Sequence, residues 1–201
     1  MDLDFDFLIV GAGFSGLVLA ERISTQLGYS SLVVEKRDHI AGNAYDYYDP
    51  SGVRVHKYGP HYFRTNSSRV VDYLSQFTEW HPVEYQVKSF TEGKFWQFPV
   101  NLNTFEQLVG RPSTSSEFEE WLTAQQVVIK SPKNSEELII SQIGWELYRK
   151  FYEGYTLKHW KLHPQELAPS VCGRIPIRTN RDDRYLSESF QALPTDGYTN
   201  M

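Results

Sequence analysis

Cysteine is almost absent from this 201-residue sequence, in which Cys172 stands alone. A single cysteine excludes an intramolecular disulfide framework and any zinc site built on several cysteines. Surplus cations are missing as well, since 20 Lys and Arg stand against 25 Asp and Glu, for a formal net charge of -5. This balance argues against a general nucleic-acid binder, which needs excess positive charge to displace counterions.

Long apolar runs are also missing. No stretch approaches the roughly 20 apolar residues that span a bilayer, and the acidic N-terminus, Met1–Asp4, is unlike a secretory signal. We therefore expect a soluble, cytoplasmic protein. The content of hydrophobic residues, 40%, is ordinary, whereas the aromatic content, 15%, is high and suits a core together with a cleft for flat rings.

The first forty residues follow a strand–turn–helix–strand pattern. The apolar run Phe5–Val10 predicts a buried strand of a parallel sheet. It leads into a G-x-G-x-x-G turn formed by Gly11, Gly13 and Gly16. In this context the first glycine permits the tight turn, the second lets backbone approach a pyrophosphate, and the third lets helix pack on strand. The pattern predicts a dinucleotide site rather than a glycine-rich turn without a ligand.

An acidic residue stands where a ribose would be bound. Glu35 lies 19 residues after Gly16, at the end of the second apolar run, where its carboxylate can accept from ribose hydroxyls. Lys36 and Arg37 follow at once. This basic pair also suits a phosphorylated ribose, as in NADP, or a solvated surface loop, so the residues alone leave the dinucleotide open.

Six segments stand in order along nearly the whole chain: Glu35–Arg37 with Gly42–Tyr45, His56–Asn66, Phe98–Phe105, Gly154–Trp160, Arg174–Arg178 and Pro194–Thr199. Together they resemble the UDP-galactopyranose mutase family of flavoenzymes. The resemblance implies an α/β fold: a Rossmann-like FAD-binding parallel sheet, an inserted helical region and part of an antiparallel substrate-side sheet. It also implies only the N-terminal half of a family member, because Thr199 resembles the N-cap of a helix that the chain does not continue.

The family interconverts UDP-galactopyranose and UDP-galactofuranose without net redox change. Its members use N5 of reduced FAD as the nucleophile at the anomeric carbon of the sugar. A flavin-dependent oxidoreductase of the amine-oxidase type, or a non-catalytic FAD-binding fragment, is the alternative. The resemblance leaves the oligomeric state open, a homo-oligomer included, and gives no reason to expect a metal site or a nucleic-acid partner.

The resemblance assigns FAD to residues near the glycine turn and in two later loops. They are Gly11, Gly13, Phe14, Ser15, Gly16, Glu35, Lys36, Arg37, Gly42, Asn43, Ala44, Tyr58, Gly59 and His61. Among these, His61 is expected against the isoalloxazine and is predicted to be catalytic. Two residues depart from the family pattern: Arg64 stands where a second histidine is usual, and Ala41 where a second glycine is common. An arginine at 64 can stabilise a reduced, anionic flavin.

The resemblance assigns the substrate to a second group of residues. They are Phe151, Tyr155, Thr156, Trp160, Arg174 and Tyr185. The indole of Trp160 suits a uracil ring, for which stacking is worth about 1–3 kcal/mol, whereas an isolated tryptophan is more often a core residue. Arg174 is expected on the diphosphate and in catalysis, since it stabilises the departing UDP; the alternative is a surface arginine paired with Asp182 or Asp183. The family's sugar-contacting asparagine has no counterpart in residues 84–86.

We divide the chain into four segments: residues 1–80 (FAD-binding), 81–103 (start of the antiparallel sheet), 104–160 (helical insertion) and 161–201 (substrate-side sheet). Residues 83–98 predict a hairpin that turns at Glu92-Gly93. Alternation in Arg174–Arg178 predicts an extended segment with both arginines on one side. Helix N-termini are predicted from capping-box spacing at Asn103/Glu106, Ser116/Glu119 and Asn134/Glu137.

Overall fold

The computed structural model describes residues 4–201. The prediction that Met1–Asp4 is not a secretory signal therefore concerns residues that lie mostly outside the described part. The chain divides into two compact units. Unit 1 comprises the residues up to Val83 together with Glu188–Met201, and unit 2 comprises Glu84–Ser187. Within residues 4–201, no helix combines the length and apolar character needed to cross a membrane.

Unit 1 begins with the predicted strand–turn–helix–strand unit. Strand β1 (Phe7–Val10) pairs in parallel with β2 (Ser31–Val34), with Phe7 opposite Ser31. Between them lies helix α1 (Phe14–Arg22), which continues through a π-helical turn and ends at Gly28, where φ is +67°. The parallel pairing confirms the predicted strand–turn–helix–strand pattern. Gly28 ends the helix because glycine adopts the left-handed conformation without steric cost.

The prediction that β1 is buried was wrong. The side chains of Leu8 and Val10 are 65% and 80% exposed. In the described residues the parallel sheet has just two strands, and α1 contacts both of them. A helix covers one face of a sheet, so apolar residues on the other face stay exposed unless a further element covers them.

The rest of unit 1 is antiparallel apart from one helix. A hairpin is followed by a three-stranded sheet in which β9, from the end of the chain, lies between β5 and β6. The elements are β3 (Asp46–Tyr48), β4 (Arg54–His56), β5 (Phe63–Thr65), α2 (Ser68–Leu74), β6 (Trp80–Pro82) and β9 (Phe190–Pro194). Ser67 is the N-cap of α2 but makes no side-chain capping bond.

Unit 2 starts with the predicted hairpin. Strands β7 (Val87–Thr91) and β8 (Lys94–Phe98) are joined by Glu92 and Gly93, whose φ angles are +53° and +74°. Two positive φ angles define a type I′ turn, which matches the twist of a hairpin. The turn therefore lies where the sequence predicted it.

Helices make up most of the remainder of unit 2. They are α3 (Leu102–Val109), α4 (Ser115–Gln125), α5 (Ser135–Tyr148), a π-helical turn (Arg149–Glu153), α6 (Gly154–Trp160) and α7 (Pro169–Gly173). Ile139, Ile143 and Leu147 of α5 are at most 1% exposed. Helix α5 is kinked at Gly144, where φ is +74° and ψ is 178°; Ile139 and Ile143 before the kink and Leu147 after it form the core with Phe118 and Tyr152.

Two of the three predicted helix caps were wrong by two residues. Helix α3 is capped by Asn101, which accepts from the amide of Thr104, and not by Asn103 with Glu106. Helix α4 is capped by Thr114 with Glu117, and not by Ser116 with Glu119. Near each of these helix starts, more than one hydroxyl or amide residue has a possible capping partner three positions later. The position where the apolar face begins decides which of them is the cap. The third cap, Asn134, accepts from the amide of Glu137 as predicted.

Candidate functional site

The glycine turn of unit 1 has the predicted close approaches. Gly11 has φ of +105°, and a Cβ on Gly16 would collide with the carbonyl oxygen of Gly11. A Cβ on Gly42 would lie 3.0 Å from Cα of Gly13, so the later loop touches the turn at a second glycine. Side chains at these positions would separate the two segments. The requirement for glycine is therefore a matter of packing as well as of turn conformation.

The start of α1 offers donors to an anion. Gly13 is its N-cap and makes no side-chain capping bond. The first amides of a helix have no partner within the helix, and the helix dipole adds positive potential there. A phosphate group fits such an end without a basic side chain.

Glu35 ties the turn to the loop that follows it. Its Oε2 accepts from the amide of Ala12 at 2.7 Å and its Oε1 from the amide of Arg37 at 2.9 Å. The amides of Arg37 and Ala12 lower the pKa of the Glu35 carboxyl, so this group is ionised at neutral pH. Each carboxylate oxygen has a further lone pair, so acceptance from a ribose stays possible.

The basic pair after Glu35 is partly engaged. Arg37 donates to Oδ1 of Asn43 at 2.8 Å, and its guanidinium lies 4.6 Å from the ring centre of Tyr58. The hydroxyl of Tyr58 lies 2.8 Å from Nε2 of His39. Arg37 therefore organises the later loop, which the sequence did not indicate.

A cavity of about 380 Å³ brings together the glycine turn and both later loops. Its wall includes Gly11, Gly13, Phe14, Ser15, Gly16, Asn43, Ala44 and His61, all of them predicted for the cofactor. Ala41 also lines it and has φ of +65°, a conformation that favours the glycine common in the family. The glycine cradle, the uncapped helix start and the ionised Glu35 fit the pyrophosphate and ribose of a dinucleotide.

The backbone at His61 is held by a second histidine. The amide of His61 donates to Nδ1 of His56 at 2.9 Å, and Nδ1 of His61 lies 2.8 Å from the carbonyl of Gly59. Burial lowers the pKa of His56, which favours the neutral ring that this acceptor role requires. His56 therefore has a structural role in this turn. Arg64, by contrast, pairs with Glu188 at 3.0 Å.

Among the predicted substrate residues of unit 2, the aromatic ring of Trp160 is exposed, whereas Phe151 and Thr156 are buried. Trp160 is the last residue of α6 and is 44% exposed, so it is not a core tryptophan. Phe151 and Thr156 are 2% and 1% exposed. The ring of Phe151 packs edge-on against Trp96, 5.6 Å away, and Thr156 lies 3.4 Å from Sγ of Cys172. Both side chains are therefore buried within unit 2, and their roles toward a substrate stay predictions.

Two tyrosines of the predicted substrate group meet. Their hydroxyl oxygens, on Tyr155 and Tyr185, are 3.3 Å apart. Burial, and then the bond to Tyr155, raise the pKa of Tyr185, so its phenol keeps its proton and can donate. The ring of Tyr155 also stacks on His159, with centroids 5.8 Å apart.

The prediction of an extended Arg174–Arg178 segment was wrong. Arg174 follows α7 with helical backbone angles, φ −69° and ψ −18°, so the two arginines do not share a strand face. Arg178 lies 3.5 Å from a carboxylate oxygen of Asp182. Arg174 is exposed and donates to the carbonyl of Val171; among residues 4–201 no carboxylate lies within ion-pair distance of it. The pairing considered for Arg174 thus belongs to Arg178.

Sequence reasoning missed Asp46 and Tyr198. Asp46 is 4% exposed and accepts the amides of Tyr198 and Thr199. Nothing near Asp46 in the sequence indicates a buried carboxylate, because its partners lie more than 150 positions later.

Comparison with known proteins gives matches to both units. A model of NAD(P)-binding Rossmann-like domains matches residues 9–77, and a model of UDP-galactopyranose mutases matches residues 150–201. A probable UDP-galactopyranose mutase of Klebsiella pneumoniae is 40% identical over 198 residues, which are 98% of this chain and 51% of that protein. A dTDP-fucopyranose mutase of Escherichia coli is 34% identical over 96% of this chain and 51% of its own length.

A solved structure has the same fold. The crystal structure of a reduced UDP-galactopyranose mutase matches with a TM-score of 0.71 at 21% identity, covering 98% of this chain and 45% of that one. The chain thus spans about half the length of the relatives that it matches. The match to the mutase model in residues 150–201 is not what an oxidoreductase sharing only the dinucleotide fold would give.

Proposed function

We propose that this chain, which belongs to the UDP-galactopyranose mutase family, supplies the FAD-binding and uridine-binding parts of an enzyme that interconverts UDP-galactopyranose and UDP-galactofuranose. The observation that carries the proposal is the exposure of Trp160 and Arg174. Trp160 meets the ring of His159 edge-on at 5.7 Å, which leaves a face of the indole accessible, and Arg174 donates to the carbonyl of Val171 but has no carboxylate partner in the described residues. A stacking platform and a guanidinium without a carboxylate partner are what a nucleoside diphosphate requires.

Unit 1 accounts for the cofactor. The amides at the start of α1 would receive the pyrophosphate of FAD, Glu35 the ribose, and the His61 turn the isoalloxazine. Reduced FAD, when bound, supplies the nucleophile for the anomeric carbon of the sugar. The protein contributes orientation and electrostatics: Arg174 neutralises charge on the departing diphosphate, and the protonated Tyr185 donates to an oxygen of the substrate.

Cofactor binding is tested by the visible absorbance of the purified chain after incubation with FAD. A stoichiometric yellow complex supports the proposal, and a colourless chain contradicts the FAD assignment. Conversion of UDP-galactopyranose is then followed with FAD reduced by dithionite and with oxidised FAD. Turnover with oxidised FAD alone, or peroxide release, favours the oxidoreductase alternative. Flavin binding without turnover favours the non-catalytic fragment.

Nucleotide binding is tested separately by calorimetric titration with UDP. Trp160→Ala and Arg174→Ala should each weaken UDP binding by about tenfold, in line with about 1–3 kcal/mol for one stacking contact or one charge-assisted bond. Trp145→Ala and Arg149→Ala are matched controls, since Trp145 is 41% exposed and contacts Arg149 outside the proposed site. Equal losses in all four variants would contradict the assignment. Titration with dTDP tests the nucleotide preference.

A further inference from the structure

The carboxylate of Asp46 in β3 holds the segment that follows β9. Its Oδ2 accepts from the amide of Tyr198 and its Oδ1 from the amide of Thr199, both at 2.9 Å. The main chain of Asp46 is tied to the same place, because Oγ1 of Thr199 donates to its carbonyl at 2.7 Å and accepts from its amide at 3.0 Å. A buried carboxylate is stable where such donors replace its lost water.

Two neighbours of this contact are adapted to it. Gly197 has φ of +90°, and a Cβ there would collide with Oδ2 of Asp46. Arg54 donates to the carbonyl of Thr195 at 2.7 Å, and its Nε lies 3.9 Å from Oδ2 of Asp46. The segment after β9 is therefore fixed by the backbone conformation and small size of Gly197, and by the charges of Arg54 and Asp46.

Tyr198, fixed in this way, contacts two walls of the cavity that lies at the glycine turn. Its ring meets Phe14 edge-on, with centroids 5.8 Å apart, and His56 in the same manner at 5.8 Å. Its hydroxyl donates to the carbonyl of His61 at 3.1 Å. Phe14 belongs to the glycine turn and His61 to the later loop, and both line the cavity. Tyr198 thus joins two segments that approach the same ligand.

We propose that Asp46 is a positioning residue for the flavin, acting through Tyr198 to hold Phe14 and His61 in place. The identity of the ligand rests on the proposed function above. The coupling from Asp46 to His61 is a property of this chain alone, so it can be tested without the cofactor.

The principal variant is Asp46→Asn, which keeps the size of the side chain but turns an NH2 group toward an amide donor. Asp49→Asn is the matched control, because Asp49 lies in the turn of the same hairpin and accepts from Ser51 and Val53. Affinity for FAD is measured by quenching of flavin fluorescence, and the flavin absorption bands by difference spectroscopy. Amide hydrogen exchange at residues 56–65 and 198–199 is measured in the flavin-free chain.

We expect Asp46→Asn to weaken FAD binding by about tenfold, within the usual range for coupled sites. It should also shift the flavin bands and speed exchange at both Tyr198 and His61, whereas Asp49→Asn leaves all three unchanged. Tyr198→Phe should act in the same direction but less strongly, because the ring stays in place. The double variant should be little worse than Asp46→Asn, since both changes act through one contact.

The outcomes separate this inference from the proposed function. Faster exchange at 198–199 with no change at His61 or in FAD binding means a local anchor, and overturns the inference. If the unaltered chain binds no FAD, the proposed function fails, and exchange at His61 alone decides whether the coupling exists. If Asp46→Asn does not fold, Tyr198→Phe replaces it, because that variant leaves the carboxylate and its amide partners intact; unchanged FAD affinity and unchanged exchange at His61 would then overturn the inference.

Discussion

Unit 2 is closed around an apolar core, whereas unit 1 leaves many of its apolar side chains exposed. Phe118, Ile139 and Ile143 of unit 2 are fully buried, while Leu8 and Val10 of unit 1 are more than half exposed. Unit 1 relies instead on hydrogen bonds between distant segments, such as those of Asp46 and Glu35. The glycine turn therefore forms without a closed sheet around it, because its own close contacts define it.

The largest expected effect on the free energy of unfolding comes from truncating a buried aliphatic residue of unit 2, and an exposed aliphatic residue of unit 1 serves for comparison. Ile143→Ala should lower the free energy of unfolding of unit 2 by about 2–5 kcal/mol, because it leaves a cavity. Leu8→Ala should change that of unit 1 by about 0.5 kcal/mol or less. Amide exchange of α5 and β1 under rising urea gives each value separately. Similar losses in the two variants would contradict the difference between the units.

Two glycines with positive φ sharpen the comparison. Gly28 in unit 1 is left-handed, with φ +67° and ψ +20°, whereas Gly144 in unit 2 has φ +74° and ψ 178°, a region that is essentially restricted to glycine. A Cβ on Gly144 would also collide with the backbone of Gln125, whereas one on Gly28 meets nothing within 4 Å. We expect Gly144→Ala to cost about 2–4 kcal/mol and Gly28→Ala about 1–2 kcal/mol, since the first adds overpacking to a larger backbone strain. Urea unfolding of both variants tests this, and equal costs would refute the tight packing of unit 2.

Two buried tyrosines of unit 2 should respond with opposite signs. The hydroxyl of Tyr152 has no hydrogen-bond partner in the part of the chain that the structure describes, whereas that of Tyr148 donates to Glu136 at 2.7 Å. Tyr152→Phe should raise the melting temperature, because it removes a hydroxyl whose burial without a hydrogen bond costs about 1 kcal/mol. Tyr148→Phe should lower the melting temperature by a similar free energy. A lower melting temperature in Tyr152→Phe would point to an ordered water at that hydroxyl.

The smallest effect concerns acid, and here we expect the two units to behave alike. The bond from Tyr73 lowers the pKa of Glu21 in unit 1 to about 2, and the bonds from Arg181 lower that of Glu106 in unit 2 to about 2. Carboxyl groups with depressed pKa stabilise the fold above about pH 4.5 and lose this contribution as the pH falls toward 2. Glu21→Gln should therefore reduce the loss in free energy of unfolding that unit 1 shows as the pH falls. Glu106→Gln should do the same for unit 2.

Amide exchange between pH 5 and 2.5 measures how the free energy of unfolding of each unit depends on pH. The exposed Glu120→Gln serves as the control, for which we expect no change in either unit. An unaltered pH dependence in both Glu21→Gln and Glu106→Gln would show that solvent screens these bonds entirely.

Local patterns allowed most of the fold to be predicted. The glycine turn, the helix that follows it and the Glu92-Gly93 hairpin each depend on residues within one short segment. The exposure of β1 was not predictable in this way, because an apolar run does not reveal how many strands will lie beside it. The two wrong caps have a similar origin, since several hydroxyl and amide residues near each helix offer the same spacing.

The candidate site was predicted less completely. The cofactor residues around the cavity could be named because glycine spacing and loop motifs are local. Asp46 and Tyr198 could not be named, because they are 152 positions apart and the residues next to each of them in the sequence do not indicate their contact. The choice between Arg174 and Arg178 as the paired arginine also required the turn after α7, which alternation alone does not reveal.

The position of β9 has a consequence for how the protein is made. Strand β9 joins β5 to β6, yet the whole of unit 2 lies between β6 and β9 in the sequence. As the chain leaves the ribosome, unit 2 is complete before β9 emerges, and contacts between distant residues form late. The order of synthesis therefore favours a nascent chain in which unit 2 is folded while unit 1 still lacks strand β9.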